Sequence, residues 1–512
     1  MGSRLIFCCG LFLFLCNNLK AQVSLNMEKL GQLTGLPGVE YNDIWGYVAP
    51  NGQEYAIIGS KMAVNIVNVS NCSNPQLVVN FVDGSNATWR DFKTYQNYVY
   101  GICDGNSTNC NEGLQVINMN NSPPTMTQSL ADFNRAHNIF IDVPHARLYV
   151  VGSNTVNEGM IIYDLSQNPA NPTVIKKVRM DTLIGQPSLN MYIHDVYVEN
   201  NIAYASHGYS GFYVWDVSDV NNIELLDSYT ESTGYNHSSW RHPNHPTFYV
   251  AEEVPLGKPI IVLSETSQGL SLDTTFKNPL AFPFASNNVP HNPFVKGDSL
   301  YISYYHDGLQ VYDVSNPTKP VRVAYYDTYP NNNNSYSSYE GAWGTYPFLP
   351  SGCILVSDIT HGLFTLGFTK NYIKIDQGPL YFDTSNRGIV FADSTGSSYL
   401  WTLDNNGGNV VSTTNLSQVK TVVADSDIFI PYPNGLVFQT LGKAFEVKLE
   451  TNGSLSKTII VPPTEYVRQT ASHLRLDDKR RGIILQDANG DCRKITMRTG
   501  GTLTTIRVPC PE

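Results

Sequence analysis

Charge is scarce in this chain. Only 15 % of its 512 residues are Asp, Glu, Lys or Arg, against about 25 % in an average globular domain. Basic residues are the scarcer kind, with 33 Lys and Arg against 44 Asp and Glu and a net charge of −11. Such a balance argues against nucleic acid or an anionic membrane surface as the main partner. Beyond the first 21 residues there is no apolar run of spanning length, so no transmembrane segment is expected. The 9 cysteines contain no CxxC pair of structural zinc spacing. GxSxG, a P-loop, a dinucleotide fingerprint and HExxH are also missing, so no common enzyme class has its motif here.

Residues 1–21 read as a secretory signal: Arg4 is a basic start, Leu5–Leu15 an apolar run, and Ala21 a small residue before the cut. Cys16 follows a bulky Leu15, which disfavours lipidation and leaves plain export. The leader removes Arg4 and Lys20 and no acid, which moves the net charge from −11 to −13. Six cysteines then remain, an even number that favours disulfides in an exported chain. Cys103 and Cys110 bracket a short polar loop and are expected to pair. Cys492 and Cys510 flank the last two strands and are the next pair. Cys72 and Cys353 are left for each other. The chain is therefore read as secreted or displayed at the cell surface.

Tyr (31), Gly (39) and Asn are abundant, and one unit recurs. Its clearest copy is HDVYVENNIAYASHGYSGFYVWDVS, residues 194–218, three short strands separated by turn formers. Third-strand markers recur at 62–75, 112–124, 158–172, 210–222 and 307–320, with degenerate copies at 258–267 and 361–368. First-strand anchors recur at Asn42, Arg90, His137, His194, His237, His291 and Glu340, spaced 43 to 57 residues apart. Seven copies of about four strands predict an all-β fold, a seven-bladed β-propeller over 22–368, rather than a linear solenoid of shorter repeats. Near-continuous apolar strands fit blades buried on both faces. Met27–Gly35 resembles a fourth strand and is expected to pair into the last blade and close the ring. Cys72 and Cys353 would then lie in neighbouring blades.

The phrases YNDIWGYVAPNGQEYAIIGS, TWRDFKTYQNYVYG, AHNIFIDVP, YIHDVYVENNIAYAS, HNPFVKGDSLYISYYHDGLQVYDVSNPTKP and GAWGTYPFLPSGCILVSDITHGLFTL resemble the choice-of-anchor B family of LVIVD-type repeats. The resemblance covers about residues 27–368. It implies a secreted or cell-surface propeller with a variable C-terminal anchoring or sorting region, and no settled activity.

A linker at 369–378 leads to a smaller domain, 379–512. Gly388, Gly435 and Gly482 are 47 residues apart each time and mark three strand-turn-strand repeats of about 47 residues. A three-fold β domain follows, closed as a trefoil or stacked as a meander, suited to surface attachment or sorting. Asp487–Asp491 is oxygen-rich but departs from the EF-hand pattern, so a hairpin turn is the reading there.

If each inner strand starts at one face, the seven anchors ring the top of a central channel. The loops after each second strand return to that face and add Asp104, His207, Glu252, Glu253, His306 and His361. Seven of the 11 histidines then share one face. One reading is a ligand-binding funnel formed by Asn42, Arg90, His137, His194, His237, His291 and Glu340 with His207, His306 and His361. Within it, His137, His194, His237, His291 and Glu340 would suit a divalent metal, the one cofactor the sequence points to. An anionic ligand at Arg90 is the other occupant. The competing reading is structural: the anchors bond neighbouring blades, as the following Asp43, Asp91, Asn138 and Asp195 permit. The aromatics three residues past the anchors (Trp45, Phe140, Tyr197, Trp240, Phe294, Trp343) read as packing between blades. The leading expectation is a non-enzymatic binding module for a protein, glycan or surface component. The alternative is a metal-dependent hydrolase or lyase. On the binding reading, Arg90→Ala or His194→Ala should leave folding intact and abolish binding.

Overall fold

The structure, a computed structural model, describes residues 24–82, 85–187, 189–278, 287–330, 336 and 338–368. From 369 onward it describes the strands together with Asp491. The expected leader, Cys510 and residues 487–490 lie outside the described residues. So does most of the expected linker, of which only Tyr372–Lys374 is described, as a strand. The chain divides into two compact units, 1–368 and 369–512.

The first unit is all-β and propeller-like. Its sheets are antiparallel and built on four strands, consecutive in the chain in sheets 1 to 5, while sheets 6 and 7 each take a strand from the start of the unit. Sheet 1 holds Tyr41–Val48, Glu54–Ser60, Ala63–Asn68 and Gln76–Val82. Sheet 2 holds Trp89–Tyr95, Tyr98–Asp104, Leu114–Asn118 and Thr125–Ser129. Sheet 3 holds Asn138–Asp142, Arg147–Val151, Gly159–Asp164 and Thr173–Arg179. Sheet 4 holds Asp195–Glu199, Ile202–Ser206, Phe212–Asp216 and Glu224–Tyr229. Sheet 5 holds Asn236–Arg241, Thr247–Glu252, Ile260–Thr266 and Gly269–Phe276. Sheet 6 holds Pro293–Lys296, Ser299–Ser303, Leu309–Asp313 and Val321–Tyr326, with Ser24–Leu25 added at its outer edge.

Sheet 7 is made from both ends of the unit. Ala342–Tyr346, Ile354–Asp358 and Gly362–Phe368 are its inner strands, and Met27–Leu33 pairs antiparallel with Gly362–Phe368 as the outermost. Further links tie sheets 1 and 7. The Cys72–Cys353 disulfide joins residues 281 apart, at a Cα separation of 6.0 Å. Glu54 accepts hydrogen bonds from the Ser351 backbone N–H and hydroxyl, and Thr365 donates to the Cys72 carbonyl. The Cys103–Cys110 disulfide closes its short loop as expected. Cys492 is also disulfide-bonded.

First strands of successive sheets pack side by side from sheet 1 to sheet 6, the second strand of sheet 6 packs on the first strand of sheet 7, and the sheet 7 first strand packs on that of sheet 1. Apolar runs explain this arrangement. Phe212–Asp216 is buried except at its last residue, whereas the outer Glu224–Tyr229 is largely exposed. Inner strands therefore bury both faces against neighbouring sheets. One such cluster puts Phe212, Trp215 and Tyr204 of sheet 4 between Met160 and Ile162 of sheet 3 and Phe248 of sheet 5. After each third strand, Asp164, Asp216 and Asp313 accept the N–H of Ser166, Ser218 and Ser315, which tightens the turn.

In the second unit three antiparallel meanders recur: Ile389–Thr413, Leu436–Ile460 and Ile483–Val508. Short strands before and between them extend each sheet in parallel. Ile389–Ala392 pairs with His473–Leu476, Leu436–Thr440 with Leu380–Phe382, and Ile483–Gln486 with Asp427–Ile430. Each meander thus borrows its neighbour strand from a different connecting segment, in cyclic order.

Candidate functional site

The inner ends of the first strands converge on one cavity of the first unit. Its lining includes His137, His194, His237, His291, Glu253 and Arg90 at one level, and Asp43, Asp91, Asn138, Asp195 and Lys93 at the next. Both levels arise because the repeat places the same register position at the channel in every copy.

The residues that follow the anchors join one sheet to the next. Asp43 accepts the Phe92 N–H at 3.1 Å, Asp91 accepts the Ile139 N–H at 2.8 Å, and Asn138 accepts the Val196 N–H at 3.1 Å. Ser238 donates to the His291 carbonyl at 2.6 Å. Lys93 sits among these acids, 2.5 Å from Asp91 and over the Trp45 ring at 4.4 Å. Burial works to lower the Lys93 pKa, and Asp91 and Asp43 outweigh it and raise it. Burial and the neighbouring Asp91 charge push Asp195 up to about 7 and Asp43 well above the carboxylate range. Sequence reasoning missed Lys93, although a signal existed: it stands where the other copies place an aromatic.

Above this layer four imidazoles form an arc. Ring centroids are 4.1 Å apart for His137–His194 and 4.3 Å for both His194–His237 and His237–His291. His137 Nδ1 lies 2.8 Å from Asp104. His194 Nδ1 lies 3.1 Å from the His237 carbonyl, and His291 Nδ1 lies 2.6 Å from the Trp343 carbonyl. A carbonyl only accepts, so both Nδ1 atoms carry the proton. Burial, then repulsion from neighbouring imidazoles, holds His194 and His237 well below the usual imidazole range. Burial takes His291 to about 3. These rings are neutral at pH 7, and the Nε2 atoms of His194 and His291 carry free lone pairs.

His237 is wired differently. The carbonyl it would reach, that of His291, is taken by Ser238, and its buried Nδ1 has no hydrogen-bond partner. Its Nε2 is 3.8 Å from Glu253 Oε2. Tyr305 donates to the other Glu253 oxygen at 2.9 Å and fixes the carboxylate. His194, His237 and Glu253 each offer one ligand atom, all within 4.8 Å of one another.

Several expected site residues are used elsewhere. Arg90 is buried, donates to the Ser60 and Lys61 carbonyls, and pairs with buried Glu112 at 3.0 Å. Its guanidinium, although it reaches the cavity lining, is committed to the fold, which argues against Arg90 as the holder of an anion. With these partners, Arg90→Ala is expected to cost stability rather than to leave folding intact. Asn42 is fully buried and donates to the Thr88 carbonyl. His207 donates through Nδ1 to the Met191 carbonyl and accepts the Trp215 indole N–H. His306 stacks on Tyr336, His361 contacts Asp358, and Glu340 accepts from Thr360. Asn42, His207, His306, His361 and Glu340 are not among the described residues lining the cavity. Glu253, from the loop after the sheet 5 second strand, occupies the place expected of Glu340.

The aromatics behave differently from expectation. Trp45 contacts Phe294, and Phe140 contacts Trp240, across pairs of sheets that are not neighbours. Trp240 also stacks on Phe348. They plug the channel below the acid layer rather than packing only between adjacent sheets. Trp343 instead packs on His291 and Tyr305. Around the arc stand further rings: Trp89 and Tyr192 beside His137, and Tyr235 edge-on to His194 with Tyr209 against it. Tyr209 is 70 % exposed and Trp89 40 %.

No family model matches the chain, and comparison with curated proteins finds no relative. Solved structures similar to it include a protein from Lactobacillus plantarum, at 11 % identity and a TM-score of 0.45, covering 73 % of this chain and 95 % of that one. Another is a Bacteroides uniformis protein provisionally described as a 6-phosphogluconolactonase, at 12 % identity and 0.43, covering 55 % and 84 %. A third is the extracellular domain of a B. thetaiotaomicron protein provisionally described as a one-component system, at 12 % and 0.46, covering 94 % and 66 %.

Proposed function

We propose that the chain is an exported seven-bladed propeller of the choice-of-anchor B type, with sheets 1 to 7 as its blades. It acts as a binding module at the cell surface, and the 369–512 unit assists attachment. The ligand site is the His-lined channel mouth, and a hydroxyl-rich ligand such as a glycan fits it best. The observation that carries this reading is the run of neutral imidazoles His194, His237 and His291, with free Nε2 acceptors on His194 and His291, beside an aromatic rim. Ring faces suit the C–H faces of sugars, and the imidazole and carboxylate acceptors suit their hydroxyls.

The test is a glycan and surface-polymer array with the full chain. Trp89→Ala and Tyr209→Ala remove exposed rings, so folding should persist. Binding should fall about tenfold or more in each, the loss of a ring contact of about 1–2 kcal/mol. Binding unchanged in both variants would place the ligand elsewhere.

A further inference from the structure

We infer that His194, His237 and Glu253 form a binding site for a borderline divalent cation, zinc being the type, at the mouth of the channel. This rests on the reading of that mouth as a ligand site and adds an ion to it.

The donor set comes first. Two imidazole nitrogens and one carboxylate oxygen within 4.8 Å of each other are the ligand types of an open zinc site. Tetrahedral bonds of about 2.0–2.2 Å need donors about 3.4 Å apart, so at most about 1.4 Å remains to be closed. The His237–Glu253 edge, at 3.8 Å, is already near that spacing. Calcium and magnesium require oxygen-rich shells, which two imidazoles do not provide.

The supporting contacts come second. Ligand histidines characteristically donate their other N–H to a carbonyl or carboxylate, which orients the lone pair toward the metal. His194 does this to the His237 carbonyl, and Tyr305 holds the second oxygen of Glu253. His291, wired in the same manner to the Trp343 carbonyl, flanks His237 at 4.3 Å between rings. The polar ring of His237 is 4 % exposed and makes no hydrogen bond through Nδ1, and its Nε2 faces Glu253 beyond hydrogen-bond distance. An ion at Nε2 would give this buried ring the one polar partner that its geometry leaves room for. Three protein ligands would leave a fourth position open toward the channel.

The experiment uses the full chain, stripped with chelator, dialysed, and titrated with zinc chloride by calorimetry. Cobalt(II) is the spectroscopic probe of ligand geometry. The inference expects one ion per chain and a tetrahedral cobalt spectrum. His237→Gln and Glu253→Gln should each weaken zinc binding at least about 10–100-fold, while His361→Gln leaves it unchanged. Circular dichroism checks that each variant is folded, and Glu253→Gln is close to isosteric if His237→Gln is not. A folded wild type that takes up no zinc overturns the site, as does a site indifferent to both substitutions. The array is then repeated with and without chelator. Binding that persists without metal but fails in Trp89→Ala keeps the ligand site and removes the ion from its function. Zinc uptake with a silent array keeps the ion and overturns the ligand reading.

Discussion

His207 shows what burial does to a single residue of this fold. It came from the same repeat position as other face histidines, yet the chain places it within a core, between the Met191 carbonyl and the Trp215 indole. Burial takes its pKa down to about 3, while the unfolded chain titrates near 6.5. A base that binds protons less well when folded stabilises the protein fully above about pH 6.5. That contribution is lost as the pH falls toward 3. His207→Gln, which keeps a donor and an acceptor, is expected to lower the melting temperature at pH 7.5 and to narrow the gap from wild type at pH 5. Equal gaps at the two pH values, measured by circular dichroism, would show that His207 does not resist protonation in the fold. Lys93 teaches a related lesson. Its departure from the aromatic consensus is visible in the sequence, but its partners Asp91 and Asp43 sit on its own and the preceding inner strand. The reason for the cation is therefore visible only in three dimensions.

At the scale of the element, sheets are joined by side chains that cap the neighbour's backbone. Asp43, Asp91 and Asn138 each accept an N–H of the next first strand. The repeat made that role legible, because the residue after five of the seven anchors is acidic or an amide, Ser238 and Gly341 being the exceptions. Arg90 is the strongest of these joints: a strand of sheet 2 reaches back to the carbonyls that end the sheet 1 second strand. Removing one member of a buried ion pair leaves the other charge without compensation. Arg90→Ala is therefore expected to cost about 3–5 kcal/mol in urea unfolding, and Arg90→Ala with Glu112→Ala less than the sum of the two. Strict additivity in that cycle would deny the coupling. The sequence did not distinguish this anchor from His194, since both occupy one register position. The buried carboxylate of Glu112, 22 residues along the chain, decides that Arg90 is a joint, whereas His194 meets other imidazoles across the cavity.

For the whole molecule the decisive feature is closure. Met27–Leu33 brings the start of the first unit into sheet 7, and Cys72–Cys353 locks sheets 1 and 7 across 281 residues. A cross-link restrains the unfolded chain more as its loop grows. Replacing both Cys72 and Cys353 by Ser should cost about 3–5 kcal/mol, and replacing Cys103 and Cys110, a separation of 7, about 2–3 kcal/mol. Denaturant unfolding of the two double variants checks the order, and a larger loss from the short loop would contradict it. No helix among the described residues is long and apolar enough to cross a membrane.

The sequence by itself determined the periodic features: all-β strands, the recurring anchor and turn-aspartate positions, and the short-range pairing of Cys103 with Cys110. These are local or follow from counting, so spacing and residue type are sufficient. For Cys72 and Cys353 it offered a partner, and closure of the sheets brought the two together. Tertiary structure alone decided which residues meet across the channel. It chose Glu253 over Glu340, committed Arg90 and His207 to the fold, and brought Trp45 against Phe294. Those outcomes depend on the diameter of the ring and on which neighbour satisfies each polar atom first. No periodicity along the chain encodes a distance across it.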